Sequence, residues 1–195
     1  MRNQDAIFNF IYELSLRDAT LQKAYSGSLD ELRNNDKAKG YVKEYIDKLM
    51  NNELNDNSFL ETAEKVENAF YGYEPTFTFG NVQKLINMSA KYMFIACYNN
   101  KEARELFRLC HCPMDSIMVD VVINQLKEKG EFNNLLKGKA TFLRQGWSKI
   151  KSEGCYSRGE LPEQYERFQK IVTFLADEEG CNPIEYDYKM WGQSK

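Results

Sequence analysis

Asn81-Val82-Gln83-Lys84-Leu85-Ile86-Asn87-Met88-Ser89-Ala90-Lys91-Tyr92-Met93-Phe94-Ile95-Ala96-Cys97-Tyr98, opened by Gly80, reads as one strongly amphipathic helix. Val82, Leu85, Ile86, Ser89, Tyr92, Met93 and Ala96 recur at steps of three and four and so predict the inward side. Lys84, Asn87 and Lys91 stand at i, i+3 and i+7 on a different face. A helix with this much apolar surface needs helical neighbours to cover it, and the flanking sequence supplies them.

A first helix is expected from Asp5 to Leu16 or further, with Ile7, Phe10, Ile11 and Leu14 forming its apolar stripe. A second runs over about Lys37 to Met50, where Tyr41, Val42, Tyr45, Ile46 and Leu49 repeat the pattern. Ser58 followed by Glu61 predicts a capping box ahead of Phe59, Ala63, Val66 and Phe70. Tyr73 to Phe79, with Pro75 and alternating Thr and Phe, predicts an extended connection able to pair briefly as a strand. Beyond Asn99-Asn100 a short helix reaches Cys110. Asp115 then stands at the N-cap of a helix from Ser116 to Lys129 that stops at Gly130. Lys139 to Lys151 is read as helical around Phe142 and Trp147. Pro162 and Pro183 open the last two helices. With no repeat, linker or low-complexity tract, the expectation is an all-α, compact multi-helix single domain over residues 1–195.

The chain of 195 residues is 43% hydrophobic and 28% charged, an ordinary globular balance that excludes a disordered chain. No run approaches the roughly 20 apolar residues of a membrane span, and Met1-Arg2-Asn3-Gln4-Asp5 leads into no signal-peptide core. A cytoplasmic protein without a membrane partner is expected. Five cysteines, an odd number, then point to free thiols. The net charge of −3 argues against capture of nucleic acid by overall charge, while leaving room for a local basic face.

Irregular cysteine spacing predicts no metal site, and the absence of GxxxxGK[ST] and GxGxxG excludes those phosphate-binding routes; no cofactor is expected. His111 is the single histidine, so any Ser-His or Cys-His hydrolase would have to use it as the base. The remaining chemistry centres on Lys84. An amine is a nucleophile only when deprotonated, so a catalytic lysine belongs in a partly enclosed pocket, often near a second cation. Lys84 lies near the positive end of a helix dipole with Lys91 two turns on, and Asp115 opens a later helix that can face it. Taken singly, each residue also has a plain structural role: an exposed lysine, a helix N-cap and a lysine whose stem covers apolar surface.

Phe79-Gly80-Asn81-Val82-Gln83-Lys84-Leu85-Ile86, followed by Lys91-Tyr92-Met93, resembles the Gln-Lys helix of the archaeal 8-oxoguanine DNA glycosylases of the helix-hairpin-helix superfamily. In that family a downstream aspartate in a proline-containing turn completes the site. Pro113-Met114-Asp115, 31 positions after Lys84, matches it. The resemblance spans about Phe79 to Val122, and only Gly80 stands where most superfamily hairpins carry two glycines. It implies a helix-hairpin-helix glycosylase-like fold and a DNA N-glycosylase/AP lyase acting on a damaged base. Lys84 would be the nucleophile, Asp115 the stabilising carboxylate, and Gln83, Lys91 and Trp147 would contact the substrate. DNA is the implied partner. The competing expectation is a non-catalytic helical interaction module, an adaptor, inhibitor or defence component, docking a protein partner through its many Tyr and Phe rings.

Overall fold

A computed structural model of the chain describes residues 2–21, 24–131, 143–144 and 146–193. Its described residues form nine α-helices and no strand: α1 (Arg2–Thr20), α2 (Leu29–Arg33), α3 (Asp36–Met50), α4 (Ser58–Ala69), α5 (Phe79–Ala96), α6 (Lys101–Glu105), α7 (Ser116–Glu128), α8 (Glu163–Glu178) and α9 (Pro183–Gln193). Short 3-10 turns cover Leu106–Leu109, Trp147–Lys149 and Tyr156–Arg158. None of the described helices is long and apolar enough to cross a membrane.

The fold is organised around α5. Its first two-thirds is buried nearly all the way round, because α1, α3, α4 and α9 all pack on it. Polar positions on such a helix must find partners inside the protein. Asn81 donates to the carbonyls of Ala19 at 2.7 Å and Ala24 at 3.2 Å, securing the end of α1, and Ser89 bonds back to Leu85 O at 2.8 Å. One continuous apolar core runs from Phe8 on α1 to Tyr186 on α9.

Several expectations are corrected. The inward stripe of α1 is Phe8, Ile11, Tyr12, Leu16 and Ala19, whereas Ile7 and Phe10 are exposed. Both stripes obey helical spacing, and only docking on α5 decides between them. Ser58 is the first residue of α4 and makes no capping box; its hydroxyl accepts the Asn55 N–H at 2.9 Å. The capping box occurs instead at the start of α5, between Thr78 and Asn81. Tyr73 to Phe79 pairs with no strand among the described residues, since Phe77 and Phe79 are drawn into the core. The helix expected over Lys139 to Lys151 falls partly outside the described residues, and Trp147–Lys149 is a single 3-10 turn.

Candidate functional site

Asp115 is positioned by a loop that two side-chain amides fasten from either side. Gln83 of α5 accepts the Met114 N–H at 3.1 Å and donates to the Met114 carbonyl at 2.8 Å. Gln169 of α8 does the same for Cys112, accepting its N–H at 3.0 Å and donating to its carbonyl at 2.7 Å. Each amide thereby satisfies both backbone groups of one buried loop residue, which water cannot reach. Asn87 extends the network by donating to the Tyr165 hydroxyl at 2.8 Å. Tyr165 in turn lies 2.9 Å from His111 Nδ1.

The loop delivers Asp115 to the start of α7. One carboxylate oxygen, Oδ1, accepts the Met118 N–H at 2.9 Å as the helix cap. The other, Oδ2, lies 3.5 Å from Lys84 Nζ. The two side chains are 13% and 16% exposed, enclosed yet in reach of a ligand. On its other side the Lys84 ammonium rests 4.5 Å from the centre of the Trp147 ring, a cation–π contact.

Lys84 and Asp115 form part of the wall of a cleft of about 780 Å³, which Lys91 also lines. That is ample for a planar heterocycle. Tyr92 closes one side, its hydroxyl donating to Asp18 at 2.5 Å. Leu21, Ile95, Ile117, Tyr188 and Trp191, all among the exposed large apolar residues, stand around the same cleft. Contiguous exposed apolar surface about a charged floor is the usual sign of a binding site.

Lys91 neither runs along the apolar surface into solvent nor stands free. Its Nζ makes a 2.6 Å ion pair with Asp187 of α9, which is 1% exposed, and faces the Trp191 ring at 5.6 Å. Burial is the dominant influence on Asp187 and pushes its pKa up to about 6, against the lowering effect of Lys91. Sequence reasoning missed Asp187 and gave Trp191 no place at the cleft. A signal existed: Asp187 follows the buried Ile184 by three residues and so lies on the apolar side of its helix.

Two expected substrate contacts are revised. Gln83 is fully buried, with its amide occupied by backbone, so it positions Asp115 and does not face the cleft. Trp147 is not among the residues lining the cleft; its ring backs Lys84, and Trp191 is the tryptophan at the opening. Gly80 explains how Trp147 comes so near. A Cβ there would lie 1.9 Å from the Trp147 carbonyl oxygen, so only glycine admits this segment against α5.

His111 borders a separate cleft of about 560 Å³ with Glu105, Arg108 and Asp177. Burial lowers its pKa to about 4 and raises that of neighbouring Cys110 to about 12. A thiol raised and an imidazole lowered in pKa disfavour the proton transfer that would make a thiolate. All five cysteines are free, and no group of three or more His, Cys, Asp or Glu among the described residues is arranged to hold a metal ion. Comparison of the chain with family models, with curated proteins and with solved structures found no match.

Proposed function

We propose that this protein is a DNA glycosylase/AP lyase-like enzyme of helix-hairpin-helix type, acting on a damaged base through Lys84 and Asp115. The observation that carries the reading is the meeting of an enclosed amine and a carboxylate, 3.5 Å apart and from two different helices, at the wall of a cleft large enough for a base.

In this mechanism a damaged nucleotide leaves the duplex and its base enters the cleft, where the rings at the opening supply stacking surface. Asp115 takes the proton of the Lys84 ammonium, and the freed Nζ electron pair attacks the sugar C1′. The C1′–N glycosidic bond breaks as the Nζ–C1′ bond forms. Its electron pair departs with the base, which takes up the proton that Asp115 received from Lys84. The positive charge gathering on the sugar is stabilised by Asp115, which is ionised again once that proton has passed to the base. Opening of the sugar ring then leaves an imine between C1′ and Nζ, the species from which strand scission proceeds. Lys91, held by Asp187, supplies a fixed cation at the floor of the cleft.

The test is borohydride trapping on duplex oligonucleotides bearing 8-oxoguanine, uracil or an abasic site. A covalent adduct that disappears in Lys84→Gln supports the proposal; no adduct with any of the three substrates speaks against it. The apolar collar of Leu21, Ile95, Ile117, Tyr188 and Trp191 favours one second reading, a non-catalytic module that docks a protein segment in the same cleft. Under that reading Lys84→Gln leaves partner binding intact, and no imine forms with any substrate.

A further inference from the structure

Between Glu131 and Glu153 the sequence carries five cations, Lys137, Lys139, Arg144, Lys149 and Lys151, and no carboxylate. In a chain of net charge −3 this is a local reversal of sign, and the rest of the molecule is more acidic still. The described part of this stretch is fastened to the first turn of α5, one turn before Lys84. Thr78 Oγ1 donates to Ser148 O at 2.7 Å, Gly80 N–H donates to Ile150 O at 3.1 Å, and Trp147 lies against Lys84. Ile150 is extended and only 7% exposed, while its neighbours Lys149 and Lys151 are exposed. Arg144 is likewise exposed.

The geometry points to Arg144, Lys149 and Lys151 as the surface that grips the DNA phosphate backbone beside the cleft. The inference rests on the glycosylase reading for its choice of partner. A nucleotide whose C1′ is at Lys84 keeps its flanking phosphates just outside the cleft, and the segment that carries these cations backs Lys84 through the Trp147 ring. Existing ion pairs do not prevent the contact. Arg144 meets Asp120 at 3.0 Å and Lys151 meets Glu153 at 3.8 Å, both pairs exposed, and such pairs yield readily to a phosphate. Lys149 makes no ion pair among the described residues and lines a groove with Lys151, Glu153 and Glu163. Backbone cations of this kind set affinity and salt sensitivity without reading sequence.

The experiment measures, by fluorescence anisotropy, binding of the full chain to a duplex carrying a non-cleavable abasic analogue across a range of salt concentrations. Imine trapping is run in parallel on a duplex with a natural abasic site. Lys149→Gln/Lys151→Gln is expected to flatten the slope of log affinity against log salt by roughly 0.9 per lost phosphate contact, about two in total. Arg144→Gln flattens it by about one, and Lys170→Gln, on the exposed face of α8, leaves it unchanged. Trapping at saturating protein survives in all three. An unchanged slope in the double variant, with trapping intact, overturns this surface while leaving the catalytic proposal standing. A flattened slope without any imine in the wild type upholds the surface and removes the chemistry. Absence of DNA binding at every salt concentration removes both.

Discussion

Lys84 and Lys91 leave the same helix two turns apart and each meets an aspartate, yet the two pairs are enclosed to different degrees. The Lys84–Asp115 contact is loose, at 3.5 Å, with both partners partly open to the cleft; the Lys91–Asp187 contact is tight, at 2.6 Å, over a carboxylate that is 1% exposed. Separating the first pair returns both ions to a partly hydrated space and costs little. Separating the second strands a charge in a poor dielectric, at a cost of several kcal/mol. A lysine that must shed its proton and move onto a substrate can belong only to the first kind of pair. The second kind holds α9 against α5 and fixes a cation in place.

The largest effect that sharpens this contrast is on chemistry. Lys84→Gln is expected to reduce imine trapping by at least about 10³-fold, on the general scale of a lost nucleophile, while leaving the thermal midpoint within a degree or two. Asp115→Asn keeps an oxygen to cap Met118 but removes the proton acceptor. Trapping should fall by about 10²–10⁴-fold with stability nearly unchanged, whereas Asp115→Ala also loses about 1 kcal/mol of cap energy.

The inner pair should respond in the opposite sense, through stability. Asp187→Ala leaves the Lys91 ammonium without its buried partner and is expected to cost about 3–5 kcal/mol in denaturant unfolding. Lys91→Met should cost less in mildly acidic buffer, because the remaining Asp187, already raised by burial and no longer held down by Lys91, can take up a proton. Equal losses for the two variants at every pH would contradict the asymmetry.

A smaller effect is the pH dependence. Asp187 is raised in the folded protein, so its contribution is fully present below its unfolded value near 4 and is lost as pH rises through about 6. His111 is depressed to about 4, so its contribution is present above its unfolded value near 6.5 and is lost as pH falls through about 4. The two slopes oppose each other between about pH 4 and pH 6. Asp187→Asn should therefore unmask the His111 slope, making stability fall more steeply on acidification than in the wild type.

How much of this was legible in the sequence depends on the distance over which each feature is decided. Asp115 as an N-cap, the helical run of α5 and the pattern of α3 follow from neighbours within one or two turns. The phase of α1 did not, because Ile7 and Phe10 satisfy the spacing as well as Phe8 and Tyr12 do. The five-residue α2 was too short to display a period. At the site, Lys84, Lys91 and Asp115 were legible as residues and line one cleft. Gln83 was read as a substrate contact because it adjoins Lys84, whereas its amide is committed to Met114, 31 residues away. Asp187 and Trp191 were hidden for the same reason: their partner Lys91 lies far off in the sequence, and tertiary packing alone joins them.

The most direct measurement is to identify the residue that carries the adduct after borohydride reduction on an abasic-site duplex, by peptide mass mapping of the wild-type protein. The contrast between the two pairs predicts a mass increment on the peptide containing Lys84 and an unmodified Lys91. An increment on Lys91, on the α-amino group or on another lysine, with Lys84 unmodified, would contradict it.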